Sequence, residues 1–230
     1  MAATAGLVTP DFRGVLRLLE QDQGPIRPHS RLPILDELIA TVLSQHTSDL
    51  NSGRAFASLR RRFGTWEAVA AATDEAVADA IRSGGMADEK APRIRRILAT
   101  VQEREGLADL SRLQALDDGA VREYLTSLPG VGPKTAGCVL LFSMGRPAFP
   151  VDTHVHRVAG RLGWIPPRAT PARAQELLEE LVPEGIRYRL HLGLVAHGRR
   201  VCRARAPGCD LCVLHGGCPR GGVARTVRPQ

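Results

Sequence analysis

One lysine in this chain lies where an amine could do chemistry. The 230 residues include 31 lysines and arginines together, and only Lys90 and Lys134 are lysines. Lys134 belongs to the stretch LPGVGPKTAGCVL (128–140), at about the second position of a helix that Pro133 opens. The positive end of the helix dipole disfavours an ammonium there and favours a neutral, nucleophilic amine, which arginine cannot supply. The pattern predicts amine chemistry at Lys134, most simply a Schiff base, with a phosphate-contacting lysine as the alternative.

The glycines of the same stretch are spaced for a turn that contacts phosphate. Gly130 and Gly132 lie between a predicted helix, AVREYLTS, and the helix that carries Lys134. Because glycine has no Cβ, such a turn can aim backbone N–H groups at one phosphate oxygen. Leu128 and Val131 are its apolar anchors. We expect a helix–hairpin–helix that grips DNA without reading its sequence, and an ordinary helical corner is the alternative.

A carboxylate follows eighteen residues after Lys134. Asp152 precedes the predicted helix THVHRV and is placed to cap it. Backbone N–H groups hold a capping carboxylate in its anionic form, so it could stabilise positive charge on a sugar or assist an amine. A purely structural cap is the alternative. His154 and His156 are two residues apart on this helix and face apart, which argues against a metal pair.

Four of the five cysteines are close together near the C-terminus. Cys202, Cys209, Cys212 and Cys218 give the pattern C-x6-C-x2-C-x5-C. Four thiolates so close in sequence can surround one tetrahedral metal ion or one cubane cluster, and the spacing alone leaves zinc and iron–sulfur open. Cys138 is predicted to be a small buried hydrophobe. A basic rim around the loop is formed by Arg199, Arg200, Arg203, Arg205 and Arg220.

The charge balance points to a polyanionic partner. A formal net charge of +7 favours nucleic acid first and an anionic membrane surface second. Aromatic residues make up 4%, fewer than a protein that stacks single-stranded bases would be expected to carry. No window is apolar enough for a membrane span, and the first residues do not resemble a secretory signal. We therefore expect a cytoplasmic protein with reduced cysteines.

The periodic segments that must position these residues all predict helices. An apolar face recurs at helical spacing from Ile34 to Leu43, and a further helix is predicted to start near Asp88. Thr65 and Thr73 are predicted N-caps, and Thr170 is a cap followed by proline at the first helical position. No alternating strand is found, so the predicted fold class is all-α.

Taken together, three motifs resemble the endonuclease III family of DNA-repair glycosylases. They are LPGVGPKTAG, then VDTHVHRV, then HGRRVCRARAPGCDLC with Cys218, in the family's order and spacing, and the resemblance spans 32–219. It implies two helical domains with a DNA-binding cleft between them. The first is 36–146 with the hairpin, and the second is 147–230 with a [4Fe–4S] cluster loop and a basic tail. The N-terminal segment 1–35 is expected to pack with the second domain. It implies Lys134 as the nucleophile, Asp152 as the catalytic carboxylate, and the four cysteines as cluster ligands.

The resemblance also assigns two segments to the gap that a flipped-out base leaves in DNA. They are LSQHTSD (43–49) and GGMADEK (84–90). His46 occupies the family's usual glutamine position, with Gln45 beside it, and Met86 stands where leucine commonly inserts. A methionine is still apolar enough to insert between bases. Lys90 is predicted to be a surface or phosphate contact.

The resemblance implies a base-excision-repair enzyme that is both a DNA glycosylase and an AP lyase. It would remove oxidised pyrimidines from duplex DNA through a lysine Schiff base and β-elimination. Its partner is duplex DNA with damaged bases or abasic sites, and it would act as a monomer, at the nucleoid if bacterial. The alternatives are a monofunctional glycosylase for adenine, G:T or G:U mispairs, and a non-catalytic iron–sulfur DNA-binding protein.

Overall fold

A computed structural model describes residues 10–28 and 30–219, and every regular element in these ranges is helical. The predicted all-α fold class is therefore confirmed for the described residues. The basic tail and Arg220 lie outside them. Eleven α-helices occur in the described ranges: α1 (Phe12–Gln23), α2 (Ile34–Leu43), α3 (Asp49–Phe63), α4 (Trp66–Ala71), α5 (Asp74–Ile81), α6 (Ala87–Glu105), α7 (Asp118–Thr126), α8 (Pro133–Cys138), α9 (Thr153–Arg161), α10 (Pro171–Leu181) and α11 (Arg187–Arg200).

These helices form two compact units. Ser30–Pro150 is one unit, and the described residues before Ser30 belong with those from Val151 onward in the other. Helix α1 is therefore part of the unit that contains α9 to α11, although it is far from them in sequence. The more detailed limits expected from the sequence, 36–146 with 1–35 and 147–230, stay a prediction.

In the unit Ser30–Pro150, helix α2 lies in the core. Leu38, Ile39 and Val42 are fully buried, as the helical spacing predicts. Helix α2 packs against α3 and α8, whereas α4 and α5 pack against α6. The hairpin that carries Lys134 therefore rests on a rigid apolar helix.

In the other unit, α1 and α9 both pack against α11. The rings of Phe12 and Trp164 meet edge to face with their centroids 4.7 Å apart. A Cβ atom on Gly193 of α11 would lie 3.2 Å from Leu19, so glycine allows α1 and α11 to approach closely. These contacts hold the N-terminal helix against the segment that leads to the cysteines.

The capping residues predicted from the sequence begin their helices as expected. The hydroxyls of Thr65, Thr73 and Thr170 each accept a hydrogen bond from the backbone N–H three residues on. Helix α6 begins at Ala87, close to the predicted start near Asp88. Met86 before it has a left-handed backbone with no side-chain cap, which propensity rules did not foresee, because a methionine with positive φ must be held by its surroundings.

Candidate functional site

The hairpin before α8 has the geometry that its glycines predict. Gly130 has a φ of +72°, and the N–H of Val131 donates to the carbonyl of Leu128 over 3.1 Å. Leu128 and Val131 are buried, so they anchor the turn in the core. Among the described residues, no atom beyond the two chain neighbours lies within 4 Å of where a Cβ atom on Gly132 would be. Packing within the protein therefore requires glycine at 130 and does not require it at 132.

Lys134 is the second residue of α8, as predicted. Pro133 occupies the first helical position, and Gly132 before it has extended backbone. Lys134 is half-buried, while the next two residues are buried. The helix continues into a short π-helical turn, Val139–Ser143, a form that often occurs at functional sites. The amine thus sits on a fixed piece of backbone directly after the glycine turn.

A buried carboxyl group interacts electrostatically with Lys134. Glu37 on α2 is 8% exposed. Burial raises its pKa to about 7, while the hydrogen bond from Thr41 and the positive charge of Lys134 act in the opposite direction. The Thr41 hydroxyl donates to Glu37 Oε1 over 3.2 Å. Sequence reasoning missed Glu37, although a carboxylate in a helix that is otherwise mostly apolar was an available signal.

Asp152 caps α9, as predicted. Its Oδ1 accepts hydrogen bonds from the N–H groups of His154 at 2.9 Å and Val155 at 2.7 Å. Two backbone donors stabilise the negative charge and fix the direction of the carboxylate. His156 bonds the carbonyl of Ala169 at 2.8 Å, away from the His154 ring. The predicted divergence of the two histidines is therefore confirmed.

Arg157 connects the helix capped by Asp152 to the cysteine loop. Its guanidinium donates to the carbonyl of Cys202 at 2.9 Å and to that of Gly198 at 2.7 Å. The guanidinium also contacts His154 Nδ1 at 3.1 Å and interacts with the charge of Asp152. Burial lowers the pKa of Arg157, and the nearby anionic groups oppose this. Arg157 therefore links helix α9 to the backbone of the first clustered cysteine.

The two segments predicted to fill a gap in DNA both have unusual backbone. His46 has a φ of +56° and Met86 a φ of +51°, and Ala206 is the one other non-glycine residue with positive φ among those described. Such conformations cost about 1–3 kcal/mol and persist where the surroundings fix them. Both side chains are exposed, Met86 at 47%. The structure thus presents the two predicted residues on strained, outward-facing loops.

Gln45 is tied to the hairpin through a residue that the sequence did not indicate. Arg93 Nη1 donates to Gln45 Oε1 at 2.8 Å. The Cδ of Arg93 also lies 3.0 Å from where a Cβ atom on Gly130 would be. Arg93 therefore fills the space beside the hairpin glycine and orients the glutamine. Because the chain has 29 arginines, the residue type does not distinguish Arg93 from the others, and only the structure could identify its role.

Lys90 is buried, so the prediction of a surface or phosphate contact is wrong. It is 3% exposed, and its Nζ donates to the carbonyls of Leu43 at 2.7 Å and Gly84 at 3.0 Å. Burial lowers the pKa of its ammonium, and the positive charge of Arg93 acts in the same direction. The sequence could not show this, because the two carbonyls come together only in the folded chain.

The four clustered cysteines line one cavity. Cys202, Cys209, Cys212 and Cys218 share it with His197 and Arg161. The pKa of Cys212 is raised mainly by burial, and the three other thiols add to this effect. The cavity therefore brings the four thiols to one place, where they could ligate a shared metal centre.

Polar groups beneath the cavity are directed at the sulfur atoms. Arg161 Nη1 lies 3.2 Å from Cys202 Sγ, and His197 Nε2 lies 3.5 Å from Cys212 Sγ. His197 is buried, burial lowers its pKa, and its Nδ1 has no hydrogen-bond partner within the described chain. The arginines at 199, 200, 203 and 205 are exposed around the loop, as predicted. Hydrogen-bond donors and positive charge suit a set of thiolates.

No helix in the described ranges is long and apolar enough to cross a membrane.

Comparison with known proteins identifies the family to which this chain belongs. Residues 39–184 match the family model of the HhH-GPD superfamily of base excision DNA repair proteins. The chain is 38% identical to endonuclease III of Thermotoga maritima over 192 residues, covering 84% of this chain and 85% of that protein. It is 33% identical to endonuclease III of Sulfolobus acidocaldarius over 183 residues, covering 79% of each.

A solved structure of a non-covalent endonuclease III–DNA complex superposes with a TM-score of 0.79 at 28% identity, covering 94% of this chain and 97% of that chain. The chain belongs to the endonuclease III family within the HhH-GPD superfamily. The resemblance inferred from the three motifs is thus confirmed, and so is a base-excision DNA glycosylase and lyase at the level of the family. The roles of individual residues stay predictions.

The buried Glu37 carboxyl predicts a specific pH dependence of stability. Its folded pKa of about 7 exceeds the unfolded value of 4.5, so its stabilising contribution is present below pH 4.5 and is lost as pH rises through 7. The free energy of unfolding is measured in urea at pH 5 and pH 8. Between these two values it should fall by about 2–3 kcal/mol less for Glu37→Gln than for the wild type. The exposed Glu103→Gln serves as the control and should follow the wild type. Equal pH dependence in all three proteins would contradict the assignment.

Proposed function

We propose that this protein is a bifunctional DNA glycosylase and AP lyase that removes oxidised pyrimidines from duplex DNA, acting as a monomer. The observation that carries the proposal is Lys134, a half-buried lysine at the second position of the helix that follows the glycine turn. The only other lysine is engaged by two carbonyls in the core. Membership of the endonuclease III family supports DNA repair as the setting of this chemistry.

DNA is held by the hairpin through a backbone phosphate. Gly130 turns the chain, and the N–H groups that follow it lead into α8. In the described part of the chain, the space around a Gly132 Cβ is open, which supports a close approach of phosphate at that residue. This contact positions DNA independently of sequence, and the net charge of +7 strengthens it at low salt.

Lys134 is the nucleophile for both activities. Its neutral amine attacks C1′ of the extruded nucleotide, and the electrons of the glycosidic bond leave with the base. The amine loses a proton and the sugar ring opens, giving a Schiff base. Loss of a C2′ proton from that imine then expels the 3′ phosphate by β-elimination. Hydrolysis of the product imine returns the free lysine.

Asp152 supplies fixed negative charge. Its carboxylate is held by two N–H groups of α9, so its orientation does not have to change as positive charge develops on the sugar. We therefore assign Asp152 electrostatic stabilisation of the sugar. Arg157 bonds the His154 ring, two residues after Asp152, and the carbonyl of Gly198, and so ties the first turn of α9 to α11.

Gln45, His46 and Met86 occupy the space that the extruded nucleotide leaves. Met86 is exposed and apolar, which suits insertion between bases. His46 offers ring nitrogens to the bases near the gap, whereas the family commonly uses an amide there. We expect this exchange to alter the preference for the base opposite the lesion more than the chemistry at Lys134.

The four cysteines would hold a [4Fe–4S] cluster. The shared cavity and the sulfur-directed donors support four thiolate ligands at one centre, and membership of the endonuclease III family favours iron–sulfur over zinc. Such a cluster supplies a rigid core that fixes the loop bearing its ligands. Arg157 and Arg161 of α9 donate hydrogen bonds to the backbone of this loop, so a loop fixed by the cluster would also help to fix α9, which Asp152 caps.

The nucleophile assignment is tested with duplex DNA that contains either thymine glycol or an abasic site. The wild type should form a covalent adduct when borohydride is added, because borohydride reduces the Schiff base. Lys134→Gln should form none and should cut abasic DNA on the order of 1000-fold more slowly. Asp152→Asn should slow thymine glycol removal by roughly 100-fold or more.

Two results would change the assignment. A wild type that removes the base without forming an adduct would be a monofunctional glycosylase. Lys134→Gln that still cuts abasic DNA at the wild-type rate would show that another group is the nucleophile.

The cofactor is tested by the metal content of the purified protein. The wild type should contain about four iron atoms per chain and absorb visible light. Cys212→Ser should lose most of the iron, whereas Cys138→Ser, which changes a cysteine outside the cavity, should keep it. Zinc in place of iron, in a colourless protein, would contradict the cluster.

A further inference from the structure

Lys90 connects the two loops that present His46 and Met86. Its Nζ donates to the carbonyl of Leu43, the last residue of α2, and to that of Gly84, two residues before Met86. Its backbone N–H donates to the carbonyl of Met86 over 3.0 Å. One residue therefore bonds both loops within three residues of their exposed side chains.

The two loops need such support because their backbones are strained. His46 and Met86 both have φ above +50°, a region that a residue with a Cβ atom seldom adopts. Neither position is a glycine, which would adopt this conformation without strain, and Met86 makes no side-chain cap bond at the start of α6. Strain persists only where neighbouring contacts over-determine the conformation, and the Lys90 bonds are such contacts.

The choice of lysine follows from the site. A buried ammonium is a compact group with three donors, and it meets the carbonyl end of α2, where the helix dipole is negative. A planar guanidinium is larger and spreads its donors over a fixed fork, which does not suit two carbonyls in a closed space. In a chain with 29 arginines, this lysine is therefore selected by geometry rather than by charge alone.

We propose that Lys90 is a positioning residue that locks the His46 and Met86 loops into one rigid unit for extruding a base-paired nucleotide. The inference rests on the proposed function. Unpairing and unstacking a nucleotide costs a few kcal/mol, which the loops must supply by staying in place between the bases. An abasic sugar in single-stranded DNA is already accessible and requires no such work. Lys90 should therefore matter for a paired lesion and not for that sugar.

The experiment compares two rates for Lys90→Met, measured under single-turnover conditions. Release of thymine glycol from duplex DNA should fall on the order of 10- to 100-fold, since small misplacement of positioning groups has effects of this size. Cleavage of an abasic site in single-stranded DNA should stay within about twofold of the wild type. Equal loss of both rates, or no loss of either, would overturn the proposal.

Arg96→Met is the matched control, because it removes a positive charge from an exposed position on the same helix. Both of its rates should stay within about twofold of the wild type. Thermal unfolding confirms that each variant is folded. If Lys90→Met does not fold, Lys90→Gln, which keeps an N–H donor on a shorter neutral side chain, takes its place with the same expected split between the two rates.

A second measurement requires no bond cleavage. 2-Aminopurine placed opposite a tetrahydrofuran abasic analogue in a duplex becomes fluorescent when the loops unstack it. At saturating protein, the wild type and Arg96→Met should produce the same increase, and Lys90→Met should produce less than about half of it. A full increase with Lys90→Met would overturn the proposal. A wild type that neither excises a base nor cuts abasic DNA would refute the proposed function, and this fluorescence comparison would still decide the role of Lys90.

Discussion

The turn from Leu128 to Gly132 is the constraint on which the site depends. Two buried side chains and one internal hydrogen bond fix it, and Gly130 supplies the positive φ that closes it. Helix α8 begins directly afterwards, so the backbone that can contact a phosphate also sets the place of the Lys134 amine. The proposed phosphate contact and the proposed nucleophile therefore share one piece of chain. In the proposed reaction this arrangement favours attack, because a held phosphate would bring its own sugar to a fixed distance from the amine.

The rest of the unit Ser30–Pro150 supports that turn through helices α2 and α6. Helix α2 packs under α8 and carries the buried Glu37, while α6 contributes Arg93 beside Gly130 and Lys90 beneath the loops of His46 and Met86. Each of the two lysines has a task that a guanidinium performs poorly. The task that we propose for Lys134 is amine chemistry, and Lys90 bonds two carbonyls in the core. Arginine provides the other cationic side chains.

The sequence predicted the features that depend on neighbouring residues. Thr65, Thr73, Thr170 and Asp152 cap their helices because the required side chain and the N–H groups lie within three residues of each other. The hairpin and the clustered cysteines were predictable for the same reason. The burial of Lys90, the raised pKa of Glu37 and the link from Arg93 to Gln45 depend on residues 30 or more positions apart or on packing between helices. Local patterns do not show which residues meet in the folded chain, so Lys90 was misassigned and Arg93 was missed, while the one local signal for Glu37 was its place in a mostly apolar helix.

The central claim is that Lys134 is the residue that forms the Schiff base. The most direct test treats the wild-type protein with borohydride while it reacts with abasic duplex DNA. Borohydride reduces the Schiff base to a stable adduct, and mass spectrometry then identifies the modified residue. The account predicts that the sugar remnant is found on the peptide that contains Lys134 and on no other. A remnant on Lys90 or on the N-terminal amine, with Lys134 unmodified, would contradict it.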